Sequence, residues 1–262
     1  MAVIGIITCE ILELEFTKLL SEDPEIRRIT ILEDECSARL VELLGGKNLS
    51  NLRLIPHPHA FSPEPDMPLE VLVRVLQLGL HRSGKLLISA ITETIHSMQS
   101  KVDVLLLGYG RCGGSLDDLQ GLLDTNLPLF QPMDDTSPVH DCVALSLGGG
   151  ERYYNEQRKT AGTYYLTPGW SQHWRSMLDS HSGTSCQPGF ERLLSDYERA
   201  LLVQTPAISS DELHRQGVEF AEKAGLRVET QNGTIAPILV AWESAKTAIL
   251  SNTKLSAARR SA

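Results

Sequence analysis

Apolar runs and apolar stripes take turns along this chain, and their periods predict its elements. Residues 3–8 are β-branched and almost wholly apolar, the pattern of a central strand covered on both faces. Residues 10–20 place apolar side chains at Ile11, Leu12, Phe16, Leu19 and Leu20, a helical stripe that stops before Pro24. Residues 28–32 and 52–55 read as short strands, and a helix over 35–44, closed by Gly45 and Gly46, lies between them. Residues 56–68 hold five prolines and two histidines and predict a loop. A helix is expected over 69–80, another over 84–99, a strand over 102–107, and a helix over 116–123.

The second half is patterned less cleanly. Residues 127–130 suggest a short strand and 134–138 a polar, irregular insertion. The run 142–147 fits a strand or the first turns of a buried helix equally well. Helices are predicted over 151–159, 171–178 with Ser171 as N-cap, 189–203, and 210–224, the last stopped by Gly225. A strand is predicted over 162–167, and a hairpin over 226–242 around Asn232-Gly233. Strands alternating with helices predict an α/β fold, with largely parallel sheets and flanking helices in Rossmann-like modules. We expect one α/β domain over residues 1–250, built of two or three similar sub-modules, and a flexible tail over 251–262.

Composition narrows the function classes. The 262 residues suffice for a sizeable core, and a formal charge of −9 without clustered Lys and Arg argues against a nucleic-acid surface. The apolar runs fall far short of the roughly 20 residues a membrane span needs. Five widely spaced cysteines, behind no export-type leader, favour reduced thiols in the cytosol.

Those thiols carry the candidate chemistry. Cys9 ends the first strand, Cys112 sits in the turn Gly108-Tyr109-Gly110-Arg111-Cys112-Gly113-Gly114, and Cys142 follows His140-Asp141. Ligands collect at the carboxyl ends of strands in open α/β sheets, so these cysteines are expected to face one crevice. Three thiolates, or thiolates with the His140 imidazole, suit tetrahedral Zn²⁺ with one position open; three cysteines also suit a [4Fe–4S] cluster with one free iron. Gly110, Gly113 and Gly114 read as a backbone cradle for a cofactor, although the turn lacks the Lys-Ser/Thr of a P-loop. Arg111 suits a substrate carboxylate or phosphate. Asp141 reads as a partner of His140, a general base or a helix cap, and His59 as an acid–base group reaching in from the proline loop. Tyr164, Tyr165 and Trp170 are candidates for a pocket wall, while Cys36 and Cys186 lack suitable neighbours and read as incidental.

These motifs resemble the domain of unknown function 1638 family. The resemblance rests on Cys9, on Tyr109 to Gly113, on His140 to Cys142 and on Gly162 to Trp170, in that order. Where the family pattern has a Pro-Arg pair before His-Asp-Cys, this chain has residues 131–139. The resemblance implies no assigned activity; its association with corrinoid methyl-transfer systems implies small methylated substrates. The expectation is therefore a cytoplasmic, metal-dependent enzyme, zinc first, acting on a small-molecule substrate, with methyl or related group transfer as one subtype. An iron–sulfur lyase or dehydratase, a metal-free cysteine nucleophile and a non-catalytic metal or cofactor carrier are the alternatives.

Overall fold

The computed structural model describes residues 2–47, 49–65, 67–112, 114, 116, 123, 125–182 and 194–260, and for residues 177–182 and 250–260 the backbone only. Its centre is a six-stranded, all-parallel sheet made of β1 (Val3–Cys9), β2 (Arg28–Leu32), β3 (Leu52–Ile55), β4 (Glu70–Leu76), β5 (Val104–Gly108) and β6 (Leu129–Phe130). The order is β3-β2-β4-β1-β5-β6. Every residue of β1, β2 and β5 is buried, because apolar side chains on both faces are covered by helices.

The connections decide where a ligand can bind. From β1 the chain crosses toward the β3 edge through a 3-10 turn (Glu10–Leu12) and α1 (Glu13–Glu22); α2 (Ala38–Gly45) continues in that direction. From β4 it crosses the opposite way, through a second 3-10 turn (Leu78–Arg82) and α3 (Gly84–Met98), to β5. Right-handed crossovers in opposite directions put α1 and α3 on opposite faces. The carboxyl ends of the neighbouring strands β1 and β4 therefore part, leaving a crevice.

A small antiparallel pair, β7 (Met133–Asp134) and β8 (Ser137–Pro138), precedes α4 (Cys142–Leu147) and α5 (Gly150–Lys159). A second parallel sheet follows, in the order β11-β10-β9, from β9 (Thr163–Leu166), β10 (Arg199–Gln204) and β11 (Arg227–Asn232). Helix α6 (Pro168–Ser182) leaves β9 and α7 (Ser210–Ala224) joins β10 to β11. Helix α8 (Ala236–Arg260) returns to pack on β5 and β6 of the first sheet. There the Trp242 indole donates to Asp23 at 2.6 Å and Lys246 Nζ to the same carboxylate at 2.8 Å.

Five local expectations are corrected. Residues 70–76 form a strand, since Val71, Leu72, Val73 and Val75 are all fully buried; apolar residues on every face here mark two covered sheet faces. Residues 199–204 are likewise a buried strand instead of the end of a helix. Asn232-Gly233 closes no hairpin: the Gly233 amide donates to Gln204 and the Thr234 amide to Ser146, turning the chain from a parallel strand into α8. Helix α6 begins at Pro168, with Thr167 Oγ1 accepting from the Trp170 amide at 3.4 Å, so Ser171 lies inside the first turn. Helix α8 runs on through Arg260, across the residues expected as a tail. The run 142–147 is helical, and the helix expected over 116–123 lies outside the described residues.

Candidate functional site

The crevice is a cavity of about 710 Å³ whose wall includes Cys9, Cys36, Cys112 and Cys142. Cys9 reaches it as the last residue of β1. Glu10, next in sequence, accepts a hydrogen bond from the Leu78 amide at 2.6 Å and so clips the two parting strand ends together.

The two cysteine turns are laced by backbone. The Arg111 amide donates to Val139 O at 2.8 Å and the Cys112 amide to His140 O at 3.0 Å. A Cβ on Gly110 would stand 2.5 Å from Val139 O and 3.0 Å from the Asp141 amide nitrogen, so only glycine permits this approach. Cys112 itself takes φ +45, a left-handed conformation rare for a side chain of this kind and frequent where a site fixes its geometry. Asp141 is the N-cap of α4: its Oδ1 accepts from the Ala144 amide at 2.8 Å and its Oδ2 lies 2.9 Å from His140 Nδ1. The cap starts the helix at Cys142. From the other side α6 presses onto the turn after β1, where a Cβ on Gly169 would lie 1.9 Å from Ile11 O. This contact carries Trp170 and His173 to the cavity wall.

Burial dominates the electrostatics of the thiols. It pushes Cys9 and Cys142 well above the ordinary thiol range and Cys112 up to about 12; the Asp141 charge adds to the shift of both Cys112 and Cys142. Cys112 and Cys9 also act on Cys142, so the three thiols share one electrostatic neighbourhood. Each has an N–H group working in the opposite sense. The Ile11 amide acts on Cys9, the Gly110 amide acts on Cys112, and the Trp170 indole donates to Cys142 Sγ at 3.3 Å. Cys36 is pushed to about 11 by burial, by Glu10, Asp34 and Glu35, against Arg74, with no N–H among these influences. Among the described residues, no three His, Cys, Asp or Glu side chains already stand close enough to hold one metal ion.

The other expected site residues separate into two groups. Asp141 lines the cavity, and Gly110 does so while serving the approach of the two turns. His140 is held outside the wall by Asp141 and stacks on Tyr153 at 6.0 Å. His59 is exposed and pairs with the His57 ring at 5.8 Å, away from the cavity. Arg111 is half-buried and meets the cavity wall only through its neighbours, while Gly114 is exposed at φ +83. Gly113 and Cys186 lie outside the described residues. Tyr164 packs on Phe220 at 4.6 Å and Tyr165 on Tyr153 at 5.3 Å, so of the three proposed wall aromatics Trp170 alone borders the cavity.

Sequence reasoning missed several wall residues. Tyr109 is 2% exposed, its hydroxyl has no partner among the described residues, and its ring stacks on His81 at 5.9 Å. His81 and Arg82 come from the turn after β4, hidden because that segment read as helix. His173 follows Trp170 by three helical positions, a spacing that was legible.

No helix among the described residues is long and apolar enough to cross a membrane. No curated protein and no solved structure matches the chain. The family model described as "Protein of unknown function (DUF1638)" matches residues 75–239, a span that takes in Cys112, Cys142, Trp170 and His173 and leaves Cys9 outside. The match covers well over half of the 262 residues, and the chain belongs to the DUF1638 family.

Proposed function

We propose that this protein is a metal-dependent enzyme that holds one soft cation, zinc first, on Cys9, Cys112 and Cys142, and acts on a small polar metabolite in the adjoining cavity. The observation that carries this reading is that the three cysteines line one cavity at the strand ends, where the Trp170 indole donates to Cys142 Sγ at 3.3 Å. Amide and indole donors support negative charge on sulfur and tune bound thiolates. The donor set is soft and suits zinc or iron over hard cations.

Burial argues against a metal-free nucleophile. Such a cysteine needs a lowered pKa, whereas all three are raised, so each keeps its proton at neutral pH until a cation draws it off. Binding would draw the three sulfurs together, coupling loading to a local rearrangement. When bound, the ion supplies a Lewis acid with a position left open to substrate.

The remaining work falls to side chains. Asp141 fixes the start of α4 and so the position of Cys142. The Tyr109 hydroxyl, buried and unpartnered, offers a hydrogen bond to substrate. Arg82 gives the wall a cation suited to an anionic group. Methyl or related group transfer fits a thiolate-rich centre of this kind, and the reduced thiols suit a cytosolic setting. The same three cysteines would hold a [4Fe–4S] cluster with one iron open, the basis of a lyase or dehydratase reading.

Metal analysis of anaerobically purified protein tests the proposal. We expect about one zinc per chain, lost in Cys112→Ser and in Cys142→Ser and retained in Cys36→Ser. A brown chromophore with iron and sulfide selects the cluster. Metal content unaffected by either substitution overturns the shared site.

A further inference from the structure

Glu13 and His173 form a carboxylate–imidazole pair on the cavity wall that the thiol centre does not use. Glu13 opens α1 and is 2% exposed, yet among the described residues neither of its carboxylate oxygens has a hydrogen-bond partner. Its Oε2 lies 3.4 Å from His173 Nε2 and 3.7 Å from Arg39 Nε. Burial raises the Glu13 carboxyl, His173 and Arg39 pull it down, and Glu10 pushes the same way as burial. A carboxylate this deep is costly unless it is hydrogen bonded, and the imidazole is the closer of these two donors. Such contacts are often long before substrate binds and tighten afterwards.

His173 is 19% exposed and lines the cavity. It stands three residues beyond Trp170 on α6, on the same helix face, and Trp170 reaches Cys142. One helix face thus presents an indole to the thiol centre and an imidazole backed by a buried carboxylate.

We infer that His173 is the acid–base group of this cavity and Glu13 its positioning residue, serving a substrate that carries a hydroxyl or thiol. The inference rests on the reading of the cavity as the substrate site. Glu13, as acceptor, keeps the ring proton on Nε2 and leaves the Nδ1 lone pair as the base. The substrate O–H or S–H bond breaks, its proton bonds to Nδ1, and the electron pair stays on oxygen or sulfur. The imidazolium is balanced by the Glu13 carboxylate, and the proton is later returned to a leaving group or to water.

Two measurements on the reduced, metal-free, full-length protein test this. Nitrogen NMR of the neutral His173 ring, identified by its loss in His173→Gln, is expected to show the single Nε2–H tautomer. Glu13→Ala should reduce it to a mixture of tautomers and Glu13→Asp should restore it. Diethyl pyrocarbonate, followed by peptide mass spectrometry, should modify His173 alongside the exposed His81. A mixed tautomer in the wild type overturns the inference, as does a His173 shielded like a core residue while His81 reacts. Where Glu13→Ala does not fold, the wild-type tautomer and reactivity decide alone. Neither measurement involves the cysteines, so loss of the thiol centre and loss of this pair are told apart.

Discussion

The indole N–H of Trp170 lies 3.3 Å from the sulfur of Cys142, joining the first turn of α6 to the first residue of α4. This bond is formed only because α6 presses so closely onto the turn after β1 that Gly169 admits no side chain. Trp170→Phe keeps the ring and removes the donor. We expect slower alkylation of Cys142 by iodoacetamide at mildly alkaline pH, and zinc affinity lowered about 10- to 100-fold in a competitive chelator titration. Unchanged affinity would leave the indole a packing role only.

Zinc binding should be steeply pH-dependent. Burial holds Cys9, Cys112 and Cys142 above the ordinary thiol range, so the metal-free protein carries all three protons at neutral pH. Zinc takes thiolates, so about three protons leave per ion bound. Raising the pH eases that loss and tightens binding by roughly tenfold per proton, on the order of a thousandfold per unit between pH 6 and 8. Calorimetry in buffers of different ionisation enthalpy counts the protons. Cys36→Ser should leave the count unaltered, and Cys112→Ser, which loses the ion, should show no zinc-linked proton release.

Gly110→Ala should damage both fold and site, because the new methyl would stand 2.5 Å from Val139 O, a backbone atom that cannot turn aside. We expect a loss of about 1–3 kcal/mol in urea unfolding together with reduced metal stoichiometry. Gly45→Ala is the control: its Cβ would meet nothing within 4 Å at the end of α2, so stability should hold or rise slightly.

Glu15 predicts an unusual stability profile. It is fully buried, its carboxylate has no hydrogen-bond partner among the described residues, and burial pushes its carboxyl from 4.5 up to about 8. Between those values the folded protein keeps a proton that the unfolded chain has released, so stability falls as pH rises, by up to about 1.4 kcal/mol per unit. Glu15→Gln removes this slope. Its advantage over the wild type should be greater at pH 8 than at pH 5 in paired urea titrations; an equal difference at both values would refute the assignment.

The sequence made the parallel α/β frame legible because β1, β2 and β5 are short β-branched or leucine-rich runs bounded by polar turns. It misled at residues 70–76 for a related reason: apart from Arg74, Val71 to Leu76 is apolar, and only tertiary structure tells a helix buried all round from a strand covered on both sides. That Cys9, Cys112 and Cys142 border one cavity accords with the rule that ligands gather at strand ends. The place of the His140 ring beside the cavity wall was not legible, because it is set by a contact with Asp141 and a stack on Tyr153, neither of which spacing reveals. Cys36 looked isolated along the chain, yet it borders the same cavity because it follows β2, two places from β1 in the sheet.

Helix α8 has a bearing on how the protein comes into being. Trp242 and Lys246 bond to Asp23 across 219 and 223 positions of sequence, and the same helix shields β5 and β6. During synthesis the flank of the first sheet stays bare until residues 236–260 have left the ribosome. Such distant partners make for slow maturation. The nascent chain would then depend on chaperones to keep that greasy flank from sticking to its neighbours.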